Sequence, residues 1–571
     1  MTRTLTAIVL AALWGCGGLR CGADRAAPAD TILTNARVYT VDASRPWAEA
    51  VAIRGERIVG VGTAAAIARL RGPHTRVMDV HGRLVLPGFT DAHVHFLQGS
   101  LSLSEANLEG AESVGQIQER LRAYAAAHPG SGWLTARGWT YAVFGDGALP
   151  DKKHLDEIFP DRPVLLTAYD GHTVWANSAA LRLARIDRNT PDPPHGTIVR
   201  ARDGEPTGAL RGGARELVRQ VIPPPARAQK LAALRRGLAE ANRLGVTRVH
   251  GAGLDWDALP LLDELRRRGE LTLRVLVAYQ LDPRARPAEL TPAILDEVAA
   301  ATRTYHDAWI ATGTFKMMLD GIIEAHTAAL LEPYADDPSQ RGRLYWDRDR
   351  FIAAVTELDR RGLQVETHAI GDAAVRLSLD AYEAAAARNH STDRRHRVVH
   401  VETIAPADVP RFGRLGVIAS LQPLHAYPER NVLRVWTRNV GPARSRLAFA
   451  WRSIAAAGGR LAFGSDWPIV ALNPWPAVQT AITRQDTDGN PPGGWIPGQR
   501  IALAEAIRGY TLGAAYAGHR ESEEGSITPG KLADLVVLSQ DPFAVEPHAI
   551  GETQVLLTIV GGRIVYDARP R

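Results

Sequence analysis

Cysteine, lysine and long apolar runs are all scarce in this chain, and each scarcity excludes something. The only two cysteines, Cys16 and Cys21, fall in the first 21 of 571 residues. The rest of the chain therefore has no disulfide, no thiolate nucleophile and no cysteine metal ligand. A catalytic metal there has to be held by His, Asp, Glu or a modified Lys. Of 67 cationic residues five are lysine, namely Lys152, Lys153, Lys230, Lys316 and Lys531, and the others are arginine. Where almost every cation is written as Arg, each Lys is informative. The longest basic cluster, Arg394-Arg395-His396-Arg397, is short and has no interleaved aromatics, so no nucleic-acid partner is expected. With 45% hydrophobic and 23% charged residues, the composition is that of a folded globular protein rather than a disordered or multi-spanning one.

The N-terminus reads as a targeting segment. Arg3 precedes an apolar run from Leu5 to Trp14, followed by Gly15 and Cys16. A basic start, about ten apolar residues and small residues are the parts of a secretory signal, and the run is shorter than the roughly 20 residues a bilayer span needs. Leu13-Trp14-Gly15-Cys16 resembles a bacterial lipoprotein box, with Trp14 as a departure. Residues 1–30 are accordingly expected to be a leader and tether. The protein is expected to be exported, periplasmic or held at the membrane only through lipid on Cys16.

Short strand signals punctuated by Gly55, Gly60 and Gly62 fill Thr31 to Leu86, and the same texture returns in Ala533–Leu538, Val555–Val560 and Gly561–Tyr566. Strands that cannot bury a face alone predict one β-sandwich built from residues 31–86 plus 524–571. Between them eight apolar strand-like runs alternate with helical stretches such as Ala226 to Leu244, Arg350 to Arg361 and Asp372 to Ala387. The runs are Leu84 to Asp91, Val246 to Gly251, Leu271 to Tyr279, Ile310 to Leu319, Leu363 to His368, Arg397 to Val401, Val417 to Gln422 and Leu461 to Gly464. Alternation of strand and helix argues a parallel sheet. Eight repeats predict an α/β fold of the (β/α)8 TIM-barrel kind over residues 87–523. The gap after the first run is too long for one crossover and predicts an inserted subdomain over about residues 106–220.

Chemistry collects at the ends of these runs. Pro87-Gly88-Phe89-Thr90-Asp91-Ala92-His93-Val94-His95 closes the first. Side chains two apart on a strand share a face, so His93 and His95 can both point into the barrel mouth and chelate one divalent ion. Lys316, His368, His400 and Asp466 end four further runs. Barrel enzymes draw their catalytic groups from the C-terminal ends of several strands, and burying such groups unpartnered would cost roughly 1–3 kcal/mol each.

This pattern resembles the amidohydrolase superfamily of metal-dependent hydrolases. Further motifs resemble its family 3 branch, which includes N-substituted formamide deformylases. They are Asp170-Gly171-His172 with Asn177-Ser178-Ala179-Ala180-Leu181, Asp320-Gly321 with Thr327-Ala328-Ala329-Leu330 and Pro333-Tyr334, His368 with Gly371-Asp372, and Gln422-Pro423. The resemblance implies that His93, His95 and Asp466 hold one metal and His368 and His400 a second, with an N6-carboxylated Lys316 as the bridge. Arg cannot be carboxylated in this way, and burial near cations frees a neutral Lys amine for it. The alternatives are a Lys316 paired with Asp320, and a single-metal site with unmodified Lys316. One or two divalent ions are expected, with Zn2+ first for a His-rich site.

The resemblance implies hydrolysis of a non-peptide C–N bond in a small N-substituted amide. Water at a zinc-like centre ionises near a pKa of about 7, and Asp466 beside it is placed as general acid/base. A deaminase or cyclic-amide hydrolase on the same scaffold, or an inactive exported binding protein, are the competing functions. Asp320 is a candidate to orient Lys316 or a ligand His; His172, His250, His326 and His425 are candidates for the pocket. Trp139, Tyr141, Trp436 and Trp467 are candidates for an apolar wall. His326 and Gly212 depart from the family's usual residues. The partner is a small-molecule substrate; homo-oligomerisation is left open.

Overall fold

Eight parallel strands carry the candidate residues. They are β1 (Phe89–Val94), β2 (Val246–Gly251), β3 (Arg274–Leu281), β4 (Ile310–Met318), β5 (Gln364–Ala369), β6 (Arg397–His400), β7 (Ile418–Leu421) and β8 (Arg460–Phe463), and they pair in that order. The computed structural model describes residues 27–569, apart from 131, 146–148, 170, 194–195, 254 and 285–288. Nearly every position of β1, β2, β5, β6 and β7 is buried, as a parallel sheet covered on both faces requires. The predicted helices are present as Arg227–Arg243, Arg348–Arg360 and Asp372–Asn389. The second shows why they form: Asp347 caps it by accepting from the amides of Asp349 and Arg350. Phe351, Ala354, Val355 and Leu358 then recur at helical spacing on its buried face.

The seam between β8 and β1 is closed just beyond the strands. The Asp466 amide donates to the His93 carbonyl (2.7 Å), and the His95 amide donates to the Trp467 carbonyl (2.8 Å). Asp91 adds a side-chain clasp, accepting from the Ser465 amide (2.9 Å) and hydroxyl. A Cβ on Gly464 would sit 2.5 Å from the His93 nitrogen, so only glycine lets the two segments approach this closely.

One expectation needs correction. The run from Leu84 to Asp91 is two strands, not one. Leu84–Pro87 pairs with Arg37–Tyr39 and Leu535–Leu538 in a six-stranded sheet of N- and C-terminal strands, whereas Phe89 onward enters the barrel. The break falls at Gly88, where a Cβ would lie 2.3 Å from the Thr247 side chain. An unbroken apolar run hides such a change of sheet. That six-stranded sheet packs on a four-stranded sheet of Thr31–Thr34, Ala50–Arg54, Arg57–Gly62 and Arg76–Asp79. Leu33, Val51, Ile53, Val85, Leu535, Val537 and Ile559 lie in the core between them. A third, six-stranded sheet runs from Ala106–Asn107 to Pro206–Gly212 between β1 and β2.

Two buried ion pairs pin the C-terminal segment to the barrel. Arg248 meets Glu524 at 2.7 Å, and Arg274 meets Asp534 through two bonds of 2.7 and 3.1 Å. Removing one partner of a buried pair leaves an uncompensated charge, which costs about 3–5 kcal/mol. Asp534→Ala should therefore lower stability by about that amount. A clear fall in the denaturant midpoint is expected, and an unchanged midpoint would show that the pair does not hold the two parts together.

Candidate metal centre

The six residues singled out from strand ends meet in one place. His93 lies on β1 and His95 begins the helix Phe96–Ser102 that follows it. Lys316 lies on β4, His368 on β5 and His400 at the end of β6, and Asp466 follows β8. Asp466 Oδ1 is 3.4 Å from His93 Nε2 and 3.2 Å from His95 Nε2. Lys316 Nζ is 3.4 Å from His93 Nε2. The His400 ring centroid lies 5.3 Å from that of His93 and 4.5 Å from that of His368. His400 and Asp466 both have positive φ, 75° and 64°, uncommon for residues with a side chain. Such backbone persists where surrounding structure enforces it and is concentrated at functional sites.

The chemistry of these donors fits a divalent cation. His93 Nδ1, His95 Nδ1 and Asp466 Oδ1 are buried with no hydrogen-bond partner among the described residues. Burial pushes the His93 imidazole down to about 3, helped by the nearby Lys316. Burial likewise holds His368 and His400 well below the usual imidazole range. Neutral imidazole is the ligating form. Burial alone would raise Asp466, but the His93 and His95 rings carry it well below the ordinary carboxylate range. The site thus presents lone pairs around one anionic carboxylate.

The surrounding groups orient the rings. His400 Nδ1 donates to Gln422 Oε1 at 2.8 Å, which leaves its Nε2 lone pair for the centre. His368 Nε2 donates to the Gly321 carbonyl at 3.2 Å and lies 3.7 Å from Asp320 Oδ1, leaving Nδ1. Asp320 is not paired with Lys316. It accepts from the amides of Ala329, Ile370 and Gly371 and so fixes the turn after β5. Lys316 instead stands in register between Gln280 on β3 and Glu366 on β5. Burial brings its amine down to about 8 against the opposing pull of Glu366 and Asp466.

A cavity of about 370 Å³ opens on these residues. The inserted segment contributes His172, Tyr169 and Arg215 to its wall, and Leu424, Val432, Trp436 and Ile469 form an apolar side. His172 and His425 therefore reach the cavity as expected. His250 and His326 do not line it. His250 Nδ1 meets the buried Arg397 Nη1 at 3.1 Å, and His326 Nε2 faces Asp336 at 2.9 Å beside the Tyr334 ring. Each thus has a protein partner at one ring nitrogen, which a single sequence does not reveal, although His250 Nε2 is buried with none among the described residues. Of the four aromatics considered for a wall, Trp436 alone is among the lining residues; Trp139 packs inside the inserted subdomain and Trp467 against Phe96.

The roles of Glu366, Glu402 and Gln422 were not anticipated. Glu366 and Glu402 each stand two positions from a strand-end histidine. The two-residue strand repeat was the signal for Glu366, which shares the inward face with His368. Glu402 lies past the end of β6, where strand spacing no longer applies.

A (β/α)8 barrel whose site gathers at strand C-termini defines a barrel enzyme. The sequence pattern of the amidohydrolase family matches residues 76–566, and the chain belongs to that family. It is 33% identical to Protein LONG AFTER FAR-RED 3 of Arabidopsis thaliana, over 94% of this chain and 92% of that protein. It is 28% identical to N-substituted formamide deformylase of Arthrobacter pascens, over 94% of this chain and 98% of that enzyme. An uncharacterized metal-dependent hydrolase from Pyrococcus horikoshii OT3 superposes with a TM-score of 0.72 at 26% identity, covering 90% of this chain and 99% of that one. The protein is accordingly a hydrolase acting on carbon–nitrogen bonds.

Gln422→Leu removes the acceptor behind His400. Loss of such a partner weakens metal binding about 10–100-fold, so titration of the apoprotein with Zn2+ should show that drop. Unchanged affinity would remove His400 from the centre.

Proposed function

We propose that the protein is a metal-dependent amidohydrolase that cleaves the non-peptide C–N bond of a small N-substituted amide. The observation that carries this reading is the unpartnered, buried Asp466 Oδ1 set against His93 and His95 at the floor of a cavity of about 370 Å³. That volume suits a small ligand. The relation to N-substituted formamide deformylase supports the substrate class.

His93, His95 and Asp466 would hold one divalent ion, with His368, His400 and Lys316 completing the centre. Bound there, such an ion supplies water activation and polarisation of the scissile carbonyl. Zn2+ is the first expectation for a His-rich set. Asp466 takes a proton from the attacking water and gives it to the leaving nitrogen, so that amide plus water yields a carboxylic acid and an amine. The apolar wall of Leu424, Val432, Trp436 and Ile469 receives the N-substituent and excludes bulk water. The buried Lys316 amine, down to about 8, has a neutral fraction able to add carbon dioxide, and the resulting carbamate would bring negative charge to neutral imidazoles. Export through the segment 1–30 is part of the same proposal; residues 1–26 of that segment, Cys16 included, lie outside the described residues.

A panel of N-substituted amides, cyclic amides and amino-heterocycles, read for released amine, carboxylate or ammonia, tests the reaction class. Amine and carboxylate from the first group are expected; ammonia from amino-heterocycles alone would make the protein a deaminase. Asp466→Asn should retain much of the metal and lose at least about 100-fold in turnover, the scale of a general acid/base. An unaltered rate would take Asp466 out of proton transfer. Lys316→Ala should lose metal and activity together, with partial rescue by short carboxylates; full metal and turnover would end the bridging role.

A further inference from the structure

A metal-ligating histidine is marked by what stands behind it. One ring nitrogen is held by a carboxylate or carbonyl, and the other is left with its lone pair facing the ion. His400 and His368 have that arrangement, and a third residue has a carboxylate behind its ring, beyond hydrogen-bond distance. His425 lies in the short turn Pro423–Ala426 after β7. Its Nδ1 is 3.8 Å from Glu402 Oε1, and the other Glu402 oxygen accepts from Trp436 Nε1 at 2.7 Å. Glu402 is thus fixed behind the ring. His425 Nε2 is buried, has no hydrogen-bond partner among the described residues and stands 3.5 Å from Asp466 Oδ2. The ring lies parallel to His400, at 6° and 5.7 Å between centroids.

The donor atoms then fall into two groups. One ligand atom each from His93, His95 and Asp466 lie within 4.8 Å of one another, and so do one each from His400, His425 and Asp466. Both groups use Asp466, from opposite sides. Oδ1 faces His93 and His95, and Oδ2 faces His425. Asp466 thus lies between the two groups, with His425 on the side away from His93 and His95.

We propose that His425 is a ligand of the second divalent ion, beside His400. This rests on the metal-dependent reading given above and adds a ligand to it. His368, with Nδ1 still available, completes the same ion's set. The turn after β7 thereby becomes part of the metal centre rather than of the substrate wall.

The test is titration of the full-length apoprotein with Co2+, followed by calorimetry and visible absorption. Wild-type protein is expected to bind two ions. H425A should bind the first as wild type does and the second at least about tenfold more weakly, with the absorption of the second equivalent changed. H425Q, which keeps most of the volume, should behave alike if H425A fails to fold. E402Q leaves the ring in place but weakens the acceptor behind it, and should lower the second affinity about tenfold. Two ions bound by H425A and H425Q with wild-type affinities, whatever their turnover, would overturn the proposal and leave the metal-dependent reading standing. A wild-type protein that binds only one ion, at an affinity indifferent to H425A and H425Q, would also overturn it. Wild-type protein that binds no divalent ion would remove that reading itself, and the proposal with it.

Discussion

Everything at the mouth of this barrel depends on the seam between its last strand and its first. The Asp466 amide bonded to the His93 carbonyl, and the His95 amide bonded to the Trp467 carbonyl, fix the Asp466 loop against the histidine pair. Asp91 adds a clasp on Ser465 that no water can replace in a buried site. Burial raises the Asp91 carboxyl to about 7, against the pull of these hydrogen bonds. Gly464 makes the approach sterically possible. The positive φ at Asp466 accompanies these bonds: the chain turns sharply where the Asp466 amide and the Trp467 carbonyl are both committed to the segment His93–His95.

Below that seam the barrel interior is charged rather than apolar. Arg397 reaches Gln364 and the Ala517 carbonyl, with Glu366 at 3.4 Å and His250 at 3.1 Å. Glu366 in turn stands beside Lys316. Buried charges are tolerated when opposite charge stands near them, and Glu366 in this layer adds to Asp466 in offsetting the charge of Lys316. His250 belongs to this floor. Fold stability and site electrostatics are therefore one problem here, since the residues that fill the barrel also set the charge beneath the donors.

The sequence made the barrel legible because parallel strands, buried on both faces, read as separated apolar runs between helices with clear amphipathic spacing. Each of the eight runs contains or overlaps a barrel strand. It failed at Gly88 because a chain that leaves one sheet for another without a turn keeps the same apolar texture. The six residues that converge at the mouth were legible because strand ends carry the chemistry and a lysine is rare in this arginine-rich chain. His326 and His250 misled because a histidine's partners come from other elements: Asp336 across a loop for one, Arg397 across the barrel for the other. Of the inserted subdomain's contribution to the cavity wall only His172 was legible, through its Asp-Gly-His motif; Tyr169 and Arg215 reach the wall by tertiary placement and not by any local pattern.

X-ray absorption at the zinc edge of the purified, metal-loaded protein tests the central claim most directly. If His93, His95 and Asp466 hold one ion and His368 and His400 a second, the spectrum shows a nitrogen and oxygen shell at about 2.0–2.1 Å with the outer-shell scattering of several imidazoles. A spectrum of solvated zinc, without imidazole features, would contradict the account.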